Sequence, residues 1–145
     1  MIVNLVSSLV FKNNSILLVK NKWDNGIEGW TLPSGHLQIT ETIETATRRE
    51  LFEETGLTTP TELKLELVLQ VIKPNETIIN FLFCVNETHG VLTNSHDPDG
   101  IIQDLGFFEI DRALTMLLYD DVRFAVNSIL KKERHEHILH FVIPA

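Results

Sequence analysis

Apolar and polar positions along the chain fall mostly into short runs of strand-like spacing, separated by turn formers. Ile2 to Phe11, rich in Val, Leu and Ser, reads as a strand. Lys12 to Ser15, centred on Asn13-Asn14, supplies a turn, and Ile16 to Lys20 closes a hairpin. Asn21 to Gly29 is polar with two glycines and reads as a loop. Trp30 to Leu32 is a short strand, which Pro33-Ser34-Gly35 breaks. A helical stretch then starts near Glu41, with Thr40 or Thr42 able to cap it, and stops at Gly56.

After a polar link through Thr58, Thr59 and Pro60, Leu63 to Ile72 alternates as a half-buried strand. Pro74-Asn75 turns the chain into Thr77 to Asn86, apolar on both faces and so expected at the centre of a sheet. Glu87 to Gly90 is a turn, and Asn94 to Gly100 (NSHDPDG) is a loop. Ile101 to Ile110 reads as a strand, and Asp111 as the cap of a short helix from Arg112 to Leu118. A further helix is expected from Asp120 or Asp121 to Lys132, offering Val122, Phe124, Ala125, Ile129 and Leu130 to a core. His137 to Ile143 is a last strand, at an edge. Strands, helix, strands, helix in that order argue an α/β (α+β) fold with a mixed sheet and helices on its faces. There is no internal repeat, low-complexity segment or linker, so residues 1–145 read as one domain.

Composition narrows the classes. The 145 residues are 43% hydrophobic and 22% charged, near globular averages, so disorder is not expected. The apolar runs are too short to span a bilayer, and the N-terminus lacks the basic and small-residue features of a signal peptide. A net charge of −8 argues against nucleic acid polymers and anionic membranes as partners. Cys84 is the single cysteine, which excludes an intrachain disulfide and fits a structural thiol in a reducing cytoplasm.

The helix ending at Gly56 carries the chemistry. Glu50, Glu53 and Glu54 stand at i, i+3 and i+4, so their carboxylates share about 100° of one helical face. Phe52 points the other way, where it can pack. Like charges so crowded repel unless a cation joins them, and hard oxygen ligands at this density suit Mg²⁺ or Mn²⁺. The plainer reading is a solvated helix laced with i,i+4 pairs, Glu44 with Arg48 and Arg49 with Glu53. The wider spacing decides between them. Gly35, Glu41, Arg49, Glu50, Leu51, Glu53, Glu54, Gly56 and Leu57 occupy a pattern whose chance occurrence at a given start is roughly one in a billion on average residue usage.

That pattern resembles the Nudix box, G-x5-E-x7-R-E-U-x-E-E-x-G-U with U aliphatic, and every fixed position is filled. The resemblance implies a Nudix-type α/β/α sandwich and Mg²⁺- or Mn²⁺-dependent hydrolysis of the pyrophosphate bond in nucleoside diphosphate-X compounds. A nucleoside triphosphate or a nucleotide-sugar-like compound is the leading substrate. It implies Glu50, Glu53 and Glu54 as metal ligands, joined by Glu41 and the backbone carbonyl near Gly35. Glu50, Glu53 and Arg49 are implied as the catalytic set, Arg49 in a supporting role that pairs with the box carboxylates. The general base is Glu50 or Glu53, or an acid on a facing loop: Asp97 or Asp99, with Asp104 and Glu87 behind them. Three positions differ from the usual lead-in: Ser34, Gln38 and, in place of a glycine, Thr40.

His36, Asp97 and Asp99 are further candidates for substrate contact, although HDPDG is also plain turn chemistry. His135, His137 and His140 invite a zinc site without a supporting ligand pattern. Trp23, Trp30, Phe81 and Phe83 could stack a base or fill the core. The alternative class is a nucleotide-binding regulatory module that keeps the fold without turnover. A homodimer through the N-terminal hairpin or the last strand is left open.

Overall fold

The structure is a computed structural model that describes residues 1–60, 62–132 and 138–144. Its strands are β1 (Ile2–Lys12), β2 (Ser15–Lys22), β3 (Glu28–Thr31), β4 (Ser34–His36), β5 (Lys64–Ile72), β6 (Thr77–Val85), β7 (Ile102–Glu109) and β8 (Ile138–Val142). The helices are α1 (Ile43–Thr55), α2 (Ile110–Met116) and α3 (Asp120–Lys131). β6 lies between β1, parallel to it, and β5, antiparallel, and β8 adds to the outer side of β5 in parallel. The expected central and edge strands are therefore central and edge. The far end of β1 turns into β2, which β3 and β7 flank, both antiparallel.

Period-two alternation divides the interior into two cores. Leu9, Ile16 and Leu18 face one way and join Leu67, Leu69, Val71 and Leu82 beneath α2 and α3. Val10 and Leu17, one residue out of phase, face the other way and join Val85, Leu57 and Leu51, the last from α1 itself. The result is a mixed sheet between helices, the sandwich expected from the sequence.

Several elements differ from expectation, each for a local reason. β2 and β3 extend into the loop assigned to Asn21 to Gly29, because Asn21 and Lys22 find partners in Gly29 and Glu28. Pro33-Ser34-Gly35 does not end strand structure. Ser34–His36 pairs with Ser7, Val6 and Leu5 of β1, with the Pro33 carbonyl accepting from Ser8 N at 3.0 Å. α1 begins at Ile43, and Thr42, whose side chain accepts from Thr45 N at 3.1 Å, is the cap. Thr40 instead takes a left-handed φ of 66°, the conformation that the more usual glycine supplies freely. α2 is capped by Glu109, which accepts from Asp111 N and Arg112 N, so the helix starts ahead of Asp111. Phe124, expected in the core, is 54% exposed and meets Phe141 at the rim, while Val126 takes the buried position. Cys84 is half-buried against the larger core.

Candidate functional site

Four local devices hold α1 and its acidic face in place. The Thr42 cap starts the helix, and Gly56, at φ 77°, ends it with its N–H on the Phe52 carbonyl at 2.8 Å. A Cβ on Gly56 would meet the Val91 carbonyl oxygen at 2.6 Å, so the following segment can lie against the helix end only because position 56 is glycine. β4 carries the segment before the helix alongside β1. Gly35 then lets the helix approach: a Cβ there would overlap the carboxyl group of Glu50. This explains why Gly35 and Glu50 belong to one pattern although fifteen positions separate them.

Arg49 gathers the acids. Its Nε and Nη2 donate to the two oxygens of Glu41 at 2.7 and 3.0 Å. Its Nη1 donates to Glu50 Oε1 at 2.7 Å and to Glu53 Oε2 at 3.3 Å, and Nη2 also donates to the His36 carbonyl at 3.0 Å. Glu41 Oε1 in addition accepts from Gln38 N at 3.0 Å, which closes the loop between β4 and α1. The hydrogen bonds from Arg49 hold the Glu41 carboxyl below its ordinary value, and those to Glu41 drive the guanidinium further toward its charged form.

Glu50 and Glu54 behave in the opposite way. Burial pushes Glu50 up, against the pull of Arg49. Burial pushes Glu54 well above the usual carboxylate range, with the charges of Glu50, Asp97 and Glu53 adding to it, while the Ser34 amide pulls it down. Glu54 Oε1 accepts that amide at 2.8 Å, whereas Oε2 accepts no hydrogen bond among the described residues. A buried carboxylate with an unpartnered oxygen among like charges has the chemistry of a hard-cation ligand. Among the described residues, no group of three or more His, Cys, Asp or Glu side chains is already drawn together as a finished cage. Arg49 holds Glu41, Glu50 and Glu53 on its own positive charge.

These groups line a cleft of about 740 Å³ that takes in Gly35, His36, Arg49, Glu50, Glu53 and Glu54. Asp97 and Asp99 line it too, from the loop between β6 and β7. Asp97 Oδ1 accepts from Asp99 N at 3.2 Å and Oδ2 from Ile102 N at 2.9 Å, so its carboxylate is engaged in the turn. The Asp99 side chain makes no such hydrogen bond among the described residues. Phe52 is 39% exposed rather than packed away, and its ring stacks on His96 with centroids 4.4 Å apart, which docks this loop on α1. Asp104 and Glu87 are not among the lining residues. Trp23 and Trp30 line the cleft, while Phe83 is core. His140 Nδ1 lies 2.7 Å from Gln70 Oε1, and His135 and His137 fall outside the described residues.

Polar residues inside strands escaped the sequence reading. Asn21, Asn80 and Ser34 line the cleft, and Ser7 lies behind them. The available signal was an asparagine inside an apolar run expected to be central, at Asn80, and a serine pair inside β1.

A mixed sheet between helices, with a glycine-led loop and an acidic helix bordering one cleft, defines the Nudix class of domain. The NUDIX domain family matches residues 3–129, and the chain belongs to it. Phosphatase NudJ from Escherichia coli K12 is 36% identical over 83 residues, which are 57% of this chain and 54% of that protein. The chain thus matches about half the length of the curated relatives it resembles. A NUDIX hydrolase from Nitrosomonas europaea superposes with a TM-score of 0.78 at 22% identity, over 92% of both chains. The NUDIX domain of NrtR from Shewanella oneidensis, solved with ADP ribose, gives 0.74 at 15% identity over 91% of this chain and 88% of that one.

Proposed function

We propose that the chain is a Nudix hydrolase that uses Mg²⁺ or Mn²⁺ to cleave a pyrophosphate bond in a nucleoside diphosphate-X compound, a nucleoside triphosphate or a nucleotide-sugar-like molecule. The observation that carries this is the complete acidic face of α1 on the cleft, with Glu54 buried and one of its oxygens unpartnered. The phosphatase name of the NudJ relatives and the ADP ribose bound to the NrtR domain support the reaction and the ligand class.

Glu50, Glu53 and Glu54 would hold the ion, with Glu41 and the Gly35 carbonyl beside them. When bound, the ion supplies positive charge to the pyrophosphate oxygens and acidifies a water. The chain supplies the rest. The Ser34 amide fixes one oxygen of Glu54 and so aims the other into the cleft. Arg49 orients Glu41 and Glu50 through 2.7 Å hydrogen bonds, and its loosest contact, 3.3 Å, is to Glu53. Of the three carboxylates that Arg49 holds, Glu53 is accordingly the one with most freedom to take a proton from attacking water. His36 and Asp99, which line the cleft, would contact the substrate, and Asp97 would support Asp99 through the turn.

The test is phosphate and pyrophosphate release over a panel of NTPs, dNTPs, ADP-ribose, sugar nucleotides and dinucleoside polyphosphates, with Mg²⁺ or Mn²⁺. Metal-dependent turnover of one class, lost in Glu53→Gln with the fold intact, establishes the reaction. Nucleotide binding without turnover on any member would sink it and favour the regulatory module.

A further inference from the structure

The cleft extends beyond the carboxylates onto the sheet, and its floor there is flat and apolar. On one face of three adjacent strands, Ile78 is flanked by Val3 and Val71, and Asn80 by Leu5 and Leu69. Leu117, at the end of α2, and Val122, in the first turn of α3, line the same space. A slot between a flat sheet face and helix-borne aliphatics suits a planar ring.

One polar side chain interrupts this floor. Asn80 is 6% exposed, and its side chain makes one hydrogen bond, its Oδ1 as placed accepting from Ser7 Oγ at 2.8 Å. The other end of the amide has no protein partner among the described residues. An unmatched buried amide is costly, so the site is incomplete without a ligand.

Proton counting fixes which atom is free. Ser7 Oγ lies 2.8 Å from the Asn80 amide and 2.8 Å from Ser34 Oγ, which lies 2.8 Å from the Leu32 carbonyl. Three contacts share two hydroxyl protons if the amide oxygen faces Ser7. With the amide nitrogen facing Ser7, each contact has its own proton: Asn80 to Ser7, Ser7 to Ser34, Ser34 to Leu32. The amide oxygen then faces the cleft as an acceptor. Asn21, 5% exposed and also on the cleft, repeats the arrangement. Its amide nitrogen donates to Thr31 Oγ1 at 2.8 Å and the Gly29 carbonyl at 3.3 Å, while its oxygen has no partner among the described residues.

We propose that Asn80, with Asn21, reads the base of the substrate, and that these two acceptors select a planar nucleobase bearing N–H donors. The inference rests on the cleft being the substrate site proposed above, and deepens that reading by naming the base class. The serines act behind Asn80 as its orienting network.

The test compares nucleotide pairs that differ by one exocyclic amino group: guanosine with inosine triphosphate, and adenosine with purine-riboside triphosphate. Binding is read from Trp23 and Trp30 fluorescence, and pyrophosphate release is followed in parallel. The parent should bind the amino-bearing member of at least one pair roughly tenfold more tightly, the effect of one well-made hydrogen bond to a buried group. Asn80→Leu should erase that preference by weakening the amino-bearing member alone, and Asn21→Leu provides an independent variant if Asn80→Leu does not fold. Equal binding within both pairs, no binding of either pair, or a preference that survives in a folded Asn80→Leu overturns the inference. A donor preference in binding without hydrolysis would leave it standing while the hydrolase reading fails, and hydrolysis without preference would do the reverse.

Discussion

Gly35→Ala is the sharpest single test of how the site is built. The added Cβ would occupy the place of the Glu50 carboxyl group, so something must move. If Glu50 swings away, it gives up its 2.7 Å hydrogen bond to Arg49, and a charge-assisted bond of this kind is worth about 1.5–3 kcal/mol. If β4 moves instead, it strains the pairing of Gly35 with Val6 and of its neighbours with Leu5 and Ser7, at about 1 kcal/mol for each backbone hydrogen bond lost. Either route costs about 2 kcal/mol, which for a domain of this size lowers Tm by roughly 4–8 °C. Turnover should fall at least about 100-fold as Glu50 leaves the cleft, since a displacement near 1 Å can cost that much. Thermal unfolding and initial rates measure the two effects. Gly56→Ala is the control: it clashes with the Val91 carbonyl at 2.6 Å, away from the acids, and should lose stability while keeping most of its rate per folded molecule. A Gly35→Ala protein with parental Tm and parental rate would refute the placement of Glu50 against this backbone.

Three further outcomes follow from the same geometry. Thr40→Gly should raise Tm by about 2–4 °C, because relief of a left-handed threonine at φ 66° outweighs the added chain entropy by about 1 kcal/mol. Glu54 has a folded-state pKa well above its ordinary 4.5, so the metal-free folded protein binds its proton more tightly than the unfolded chain does. Stability in EDTA should therefore fall as pH rises from about 4.5 through that raised value, and Glu54→Gln should flatten this slope in thermal unfolding. His96→Ala removes the ring stacked on Phe52; about 0.5–1.5 kcal/mol is lost, and limited proteolysis should cut more readily within residues 94–100.

How much was legible differs from residue to residue. The box could be read because its spacing is local: residues i, i+3 and i+4 share a helical face whatever the rest of the chain does, and a threonine cap and a left-handed glycine bound that face. The hairpin of β1 and β2 was likewise legible from its apolar runs and the Asn13-Asn14 turn, but its division between two cores was not. The boundaries were less legible, as with Ser34–His36, where a Pro-Ser-Gly signal for a break was overruled by hydrogen bonds to β1, a partner remote in sequence.

The sequence by itself determined the acidic helix face, Gly35 as a fixed point of its pattern, the central strand Thr77–Val85 and the family to which the chain belongs. Only the tertiary structure decided that Arg49 binds three of the acids, that Glu54 is buried with a free oxygen, and that Asp97 is committed to its own turn. It also decided that Asn21 and Asn80, 59 positions apart, present amides to one cleft. The physical reason is the range of the interactions. Helical periodicity and capping act within a few residues, whereas burial, desolvation and the pairing of a buried amide depend on which distant strands pack around it.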